Sequence, residues 1–158
     1  MLDETIREGL AGRYEELGGK VHELAQPLSE EQFWRKPFAF GNSFGHLVLH
    51  LTGNLNYYIG AGIAGTGYVR DRDREFSEAA RPGKSDVMTR FADAVAMVAR
   101  TARAQSEGDW SRRYTALREE EAGNRFNIFL RCATHLHLHV GQMMYLQFEL
   151  MRGLKKSD

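Results

Sequence analysis

Three histidines stand at every second position in the stretch THLHLHVGQMMYL: His135, His137 and His139. Two more, His46 and His50, stand four apart in GHLVLHL. Imidazole is the side chain that most often ligates metals, and its charge changes near neutral pH. Metal chemistry is therefore the first possibility these tracts raise. On a strand the three alternating histidines would share one face, whereas on a helix they would not. The elements that carry them decide which.

Apolar residues recur at Leu2, Ile6, Leu10, Tyr14, Leu17, Val21 and Leu24, in steps of three and four that predict an amphipathic helix ending before Pro27. Ser29-Glu-Glu-Gln32 has the form of a capping box for a short turn holding Phe33 and Trp34, before Pro37. A second helix is expected from Asn42 or Ser43 through FGHLVLHLTGNLNYYIGAGIAG, fading at the glycines from Gly60 onward. The segment GTGYVRDRDREFSEAARPGK has no sustained apolar period and reads as a long charged connection. Ser85 is placed to cap a third helix, with Asp86 near its positive end and Val87, Phe91, Val95 and Val98 as its buried stripe. That helix fades at SEGDW, and some order is expected around Tyr114 and Leu117. A fourth helix runs from about Asn124 to Arg152 without proline. Four amphipathic helices with no convincing strand predict an all-α four-helix bundle, one domain spanning residues 1–158.

On a helix turning about 100° per residue, His139 falls about 40° from His135, while His137 lies about 200° away. The alternating tract thus splits into a pair at the edge of the apolar face and an outsider, for which packing or a subunit contact is expected. In the second helix His50 lies at the edge of the apolar face beside Ser43 and Asn54. His46 is turned further toward solvent. If the two helices are neighbours, His50 meets His135 and His139, and three imidazoles converge. An i, i+4 pair with a third nitrogen from a facing helix forms a facial triangle that leaves the ion's other side open. Nitrogen-only ligands suit Zn²⁺, Ni²⁺ or Fe²⁺ and fit Mg²⁺ and Ca²⁺ poorly. A lone histidine at such an edge more often packs or caps than ligates; the paired spacing is what raises ligation. His46 and His50 are themselves an i, i+4 pair, so a site built on them, or a four-histidine arrangement, stays open. His22 reads as a surface residue.

The bulk properties narrow the partners. The 21 basic and 21 acidic residues cancel, which gives no support for nucleic acid or an anionic membrane and leaves a small molecule as the expected ligand. The N-terminus MLDETIREGL has no apolar core of a leader, and no stretch reaches the ~18 apolar residues of a membrane span. One cysteine, Cys132, fits a reducing compartment, so a cytoplasmic location is expected. It reads as a buried inert thiol, with a thiolate near His135 and His139 as the alternative.

NSFGHLVLHLTGNLNYYI, RDRDREF and HLHLHVGQMMYL, set in four helices, resemble the DinB-like (DinB/YfiT-like) superfamily of metalloenzymes, and in particular its DUF1572 branch. The resemblance is strongest over residues 42–76 and 131–146. It implies a four-helix bundle, often a homodimer, with a divalent metal on one histidine of the second helix and an H-x-x-x-H pair of the last. The positions it implies are His50, His135 and His139, the last followed by Gly141 and Gln142 as in the family's ending. They coincide with the triad selected by the helical wheels. Characterised relatives include thiol-dependent enzymes, among them bacillithiol S-transferases and a mycothiol-dependent maleylpyruvate isomerase, so the resemblance implies a low-molecular-weight thiol as a possible cofactor or substrate.

The expected activity is that of a metal-dependent enzyme in which water or a substrate thiol fills the ion's open side and loses its proton near neutral pH. Asn54, Tyr57, Gln142 and Glu149 are the polar residues expected around the triad, and only Glu149 is a carboxylate. This lack of a general base favours thiol S-transfer over metal-dependent hydrolysis. The rivals are a non-catalytic dimeric bundle that binds metal or a small ligand, and a structural bundle in which the histidines only pack. RDRDREF is either a solvated charged loop or a place where Arg70, Arg72 or Arg74 binds an anion near the metal.

Overall fold

The apolar steps of the N-terminal stretch become helix α1 (Leu2–Ala25), which buries Ala11, Tyr14, Leu17, Val21, Leu24 and Ala25. This is a computed structural model, and it describes residues 2–77, 79, 81–116 and 122–152. Leu117 lies outside the described residues. Helix α2 (Glu30–Trp34) starts at the expected capping box: the Ser29 hydroxyl accepts from the Gln32 N–H at 3.1 Å, and the Gln32 side-chain oxygen accepts from the Ser29 N–H at 2.8 Å. Its single turn buries Phe33 and Trp34, each adding roughly 1.5–3 kcal/mol of apolar burial.

Helix α3 (Phe44–Leu55) begins at Ser43, whose hydroxyl accepts from the His46 N–H. It runs on into a π-helical turn, Asn56–Ala61, in which the Gly62 N–H reaches back five residues to the Tyr57 carbonyl. Tyr114 donates its hydroxyl proton to the Tyr58 carbonyl at 2.8 Å. The charged connection holds a short helix, α4 (Arg72–Glu75), capped by Asp71. Helix α5 (Lys84–Arg103) starts one residue before the expected cap, Ser85. The reason lies elsewhere in the chain: the Lys84 N–H donates to both oxygens of Glu30 in α2, at 3.0 and 3.1 Å, so a distant carboxylate supplies the acceptor that a local serine was expected to supply. Helix α6 (Glu107–Trp110) carries a second capping box, Ser106 with Asp109. Helix α7 (Arg125–Arg152) follows Asn124, whose side chain accepts from the Asn127 N–H.

Helices α1 and α3 each pack against both α5 and α7, so the four long helices close in the order α1, α5, α3, α7. Tyr14, Leu51, Leu55, Phe91, Phe129 and Met143 fill the centre. The Tyr14 hydroxyl donates to the Phe129 carbonyl at 2.6 Å, and burial pushes its pKa up. No strand forms among the described residues, where Arg113 and Asn124 make a lone antiparallel bridge. No described helix is long and apolar enough to cross a membrane.

The contact of α2 with α3 matters for the site. A β-carbon at Gly45 would sit 2.6 Å from the Trp34 ring and 2.8 Å from Phe33. The short helix therefore rests directly on the first turn of α3, and it covers a side of that helix that a wheel alone leaves open.

Candidate metal centre

Packing of α3 on α7 brings His50, His135 and His139 together. His50 Nε2 lies 3.3 Å from His135 Nε2, which lies 3.1 Å from His139 Nε2. The remaining pair of ligand atoms is also within 4.8 Å. The three rings stand nearly edge to face, at 72°, 80° and 89° to one another. With metal–nitrogen bonds of about 2.0–2.1 Å, the edge of a tetrahedron is about 3.3–3.4 Å. The two separations from His135 need almost no adjustment to match it.

The opposite ring nitrogens settle which atoms face inward. His139 Nδ1 is 2.7 Å from the Gln142 side-chain oxygen, which accepts only, so the proton sits on Nδ1 and the Nε2 lone pair is free. His50 Nδ1 is 3.0 Å from a Glu75 carboxylate oxygen and is held in the same way. His135 Nδ1 is buried without a hydrogen-bond partner among the described residues, whereas its Nε2 faces His50 and His139. Burial, and next the charges of His139 and His50, push the His135 pKa down to about 3. Burial also lowers that of His139, against the raising effect of Gln142. Imidazoles with converging lone pairs suit a divalent cation, and His135 and His139 resist protons, so the residues fit the ion that the sequence suggests.

The other histidines do not join them. His46, expected near solvent, is fully buried. Its Nδ1 lies 2.7 Å from the Ser43 hydroxyl, its Nε2 3.3 Å from the Ser77 carbonyl, and its ring packs on the edge of Trp34. A wheel sees one helix only, and α2 and the charged connection supply this cover. His137 is exposed and its Nδ1 is 3.3 Å from the Arg13 guanidinium. His22 is exposed, as expected. Cys132 is buried in the core and stands outside the histidine cluster.

The three histidines line a hollow of about 570 Å³. Phe38 and Phe40, stacked at 5.6 Å, form one wall from the connection between α2 and α3; Phe76, Tyr145 and Leu146 form others. No described carboxylate lines it, and Arg72 is its one ionised side chain, 5.7 Å from the Phe76 ring. Of the polar neighbours expected from sequence, Gln142 holds His139. Glu149 instead pairs with Arg152 at 2.9 Å, and Asn54 is buried, its side-chain oxygen without a hydrogen-bond partner among the described residues. Sequence reasoning missed Glu75 and the Phe38–Phe40 wall, because both lie in connections where no period marks a direction. The one available signal was a carboxylate inside RDRDREF.

A helical fold with three converging imidazoles on two packed helices, open on one side to a hollow that no carboxylate lines among the described residues, defines a class of helical proteins able to hold one divalent ion. The chain belongs to the DinB superfamily, a metal-associated group whose family model matches residues 13–143. Comparison with curated proteins gives no significant match.

Proposed function

We propose that the protein is a divalent-metal-dependent enzyme, with His50, His135 and His139 as ligands of Zn²⁺, Ni²⁺ or Fe²⁺, and that it transfers a low-molecular-weight thiol to a small electrophilic substrate. The carrying observation is the cluster of three imidazoles, with His135 Nε2 at 3.3 Å from that of His50 and 3.1 Å from that of His139, beside a hollow lined by no carboxylate among the described residues. A bound ion supplies a lowered pKa to the thiol or water on its open side. Gln142 keeps the His139 proton on the outer nitrogen, and the stacked Phe38 and Phe40 rings give one side of the hollow an apolar lining. In the transfer, the thiol sulfur bonds to the electrophilic carbon, the leaving group departs with the bonding electron pair, and the thiol proton passes to solvent. Hydrolysis also needs a base to take a proton from water, and among the described residues the carboxylate beside the triad, Glu75, contacts His50 at Nδ1, the nitrogen opposite the cluster. That favours thiol transfer over hydrolysis.

The reading includes the four-helix bundle of the DinB/YfiT type for α1, α3, α5 and α7, the DUF1572 branch on the strength of RDRDREF, and a cytoplasmic home. It is tested by supplying the metal-loaded protein with bacillithiol, mycothiol or glutathione and a chromogenic electrophile. Turnover with one thiol, lost in His50→Ala, is expected. No turnover with any of them, on protein holding one ion per chain, would leave the non-catalytic metal-binding bundle in its place.

The reading also includes a homodimer through the outer face of α7. Leu138, Tyr145 and Phe148 are 62%, 77% and 71% exposed there, and Leu130 and Met144 lie on the same side. From Leu130 to Phe148 this stripe runs about 27 Å, with Thr134, His137 and Gly141 between its apolar residues, which suits a second copy of itself. Light scattering should give a dimer for the native chain and a monomer for Phe148→Glu. A monomeric native chain would refute the dimer.

A further inference from the structure

RDRDREF is not merely a solvated loop: its first arginine and its glutamate are buried against the back of His50. Arg70 grips Glu75 with two parallel hydrogen bonds, Nε to Oε1 at 2.7 Å and the terminal nitrogen to Oε2 at 2.9 Å. Oε2 also lies 3.0 Å from His50 Nδ1. The side chains of His50, Arg70 and Glu75 are only 8%, 10% and 7% exposed, so little water competes for these bonds. Phe76 then packs on the His50 ring at 4.9 Å.

Resting on the metal site proposed above, we infer that Glu75 is a positioning residue: held by Arg70 and seated on Gly53, it fixes the tautomer and ring direction of His50 and so sets the metal affinity. Two groups approach His50 Nδ1: the Glu75 carboxylate oxygen, which accepts, and the Arg70 terminal nitrogen, which donates and is 3.3 Å away. That nitrogen already donates to Oε2, and a bare Nδ1 lone pair facing a carboxylate at 3.0 Å would be repelled. The proton therefore belongs on Nδ1, and the Nε2 lone pair faces His135 and His139. A carboxylate behind a ligating imidazole fixes the ring and makes it a better donor. Because Arg70 neutralises Glu75, the pair adds no net charge, and the ion keeps its full pull on what binds its open side.

Gly53 is the independent mark of this arrangement. It stands three residues after His50 on the same face of α3. A β-carbon there would overlap Glu75 Oε1 and come within 2.8 Å of its carboxyl carbon. Alanine is the better helix former, so glycine at this interior position serves the approach of the carboxylate and not the helix.

The test measures Zn²⁺ affinity of tag-free native protein, Glu75→Ala, Glu75→Gln and Gly53→Ala by competition with a chromophoric chelator. Circular dichroism and Tm of each metal-free form, and the visible spectrum of each Co²⁺-loaded form, accompany it. Glu75→Ala should weaken binding about 10- to 100-fold. Glu75→Gln keeps an acceptor for the Nδ1 proton and should recover part of the loss. Gly53→Ala removes no ligand and no charge, yet should reproduce Glu75→Ala in both affinity and Co²⁺ spectrum. Native affinity in Glu75→Ala, or in a folded Gly53→Ala, overturns the inference while the metal site stands. No Zn²⁺ on the native chain overturns the site as well.

Discussion

His135→Ala and His139→Ala reduce bound metal to background, whereas His137→Ala leaves it at one ion per chain. The expectation follows from where the helix sends each ring. His135 and His139 turn their Nε2 atoms to within 3.1 Å of each other and His135 reaches His50 at 3.3 Å, while His137 faces outward against Arg13. Removing either pair member leaves two nitrogens, too few to complete the facial set. His46→Ala is the second control, because its ring nitrogens already face Ser43 and Ser77. Elemental analysis of tag-free protein reads all four variants. Equal loss from His135, His137 and His139 would show the ion to be held by an unspecific histidine tract.

Acidification destabilises the metal-free protein from about pH 6.5 downward, and zinc moves that loss to lower pH. In the unfolded chain His135 takes up its proton near 6.5, but in the fold burial and the charges of His139 and His50 hold it back to about 3. Between those values the unfolded state binds more protons than the folded one. Stability is therefore full above 6.5 and falls continuously until the folded form also protonates near 3. His139, lowered by burial, adds to the same trend. An ion bound only by the native state opposes it, by about 2.7 kcal/mol at a hundredfold excess over Kd. Thermal melts between pH 7 and pH 4, with chelator and with zinc, measure both effects. His135→Ala should flatten the acid slope and abolish the zinc response. A native melt whose Tm is constant from pH 7 to 4 without metal would contradict the burial of neutral imidazoles.

The parts of this molecule that obey a period were legible from the residues. The 3.6-residue turn separates His137 from its neighbours and pairs His135 with His139, and the same arithmetic sets His50 on the matching edge of α3. Local chemistry was legible too, since the expected capping box at Ser29 and Gln32 forms, and Ser43, one of the two expected caps, opens α3. What escaped depends on chain segments folding back from a distance. Glu30 takes over the start of α5 from Ser85, Trp34 covers His46, and Glu75 arrives behind His50 from a connection that looked like solvated charge. The π turn at Asn56–Ala61 also left no mark in the apolar pattern. It is stabilised by contacts such as the Tyr114 hydroxyl on the Tyr58 carbonyl, made from far along the chain.

The triad spans a gap of 85 positions between His50 and His135. Drawing such distant donors together from a free coil costs about 4 kcal/mol of loop-closure entropy, by (3/2)RT ln n. Here Leu51, Leu55, Leu136 and Met143 hold the two helices in place, so the core meets that cost before any ion arrives. The ion then encounters a rigid chelator, and its affinity rises and falls with the packing of leucines it never touches.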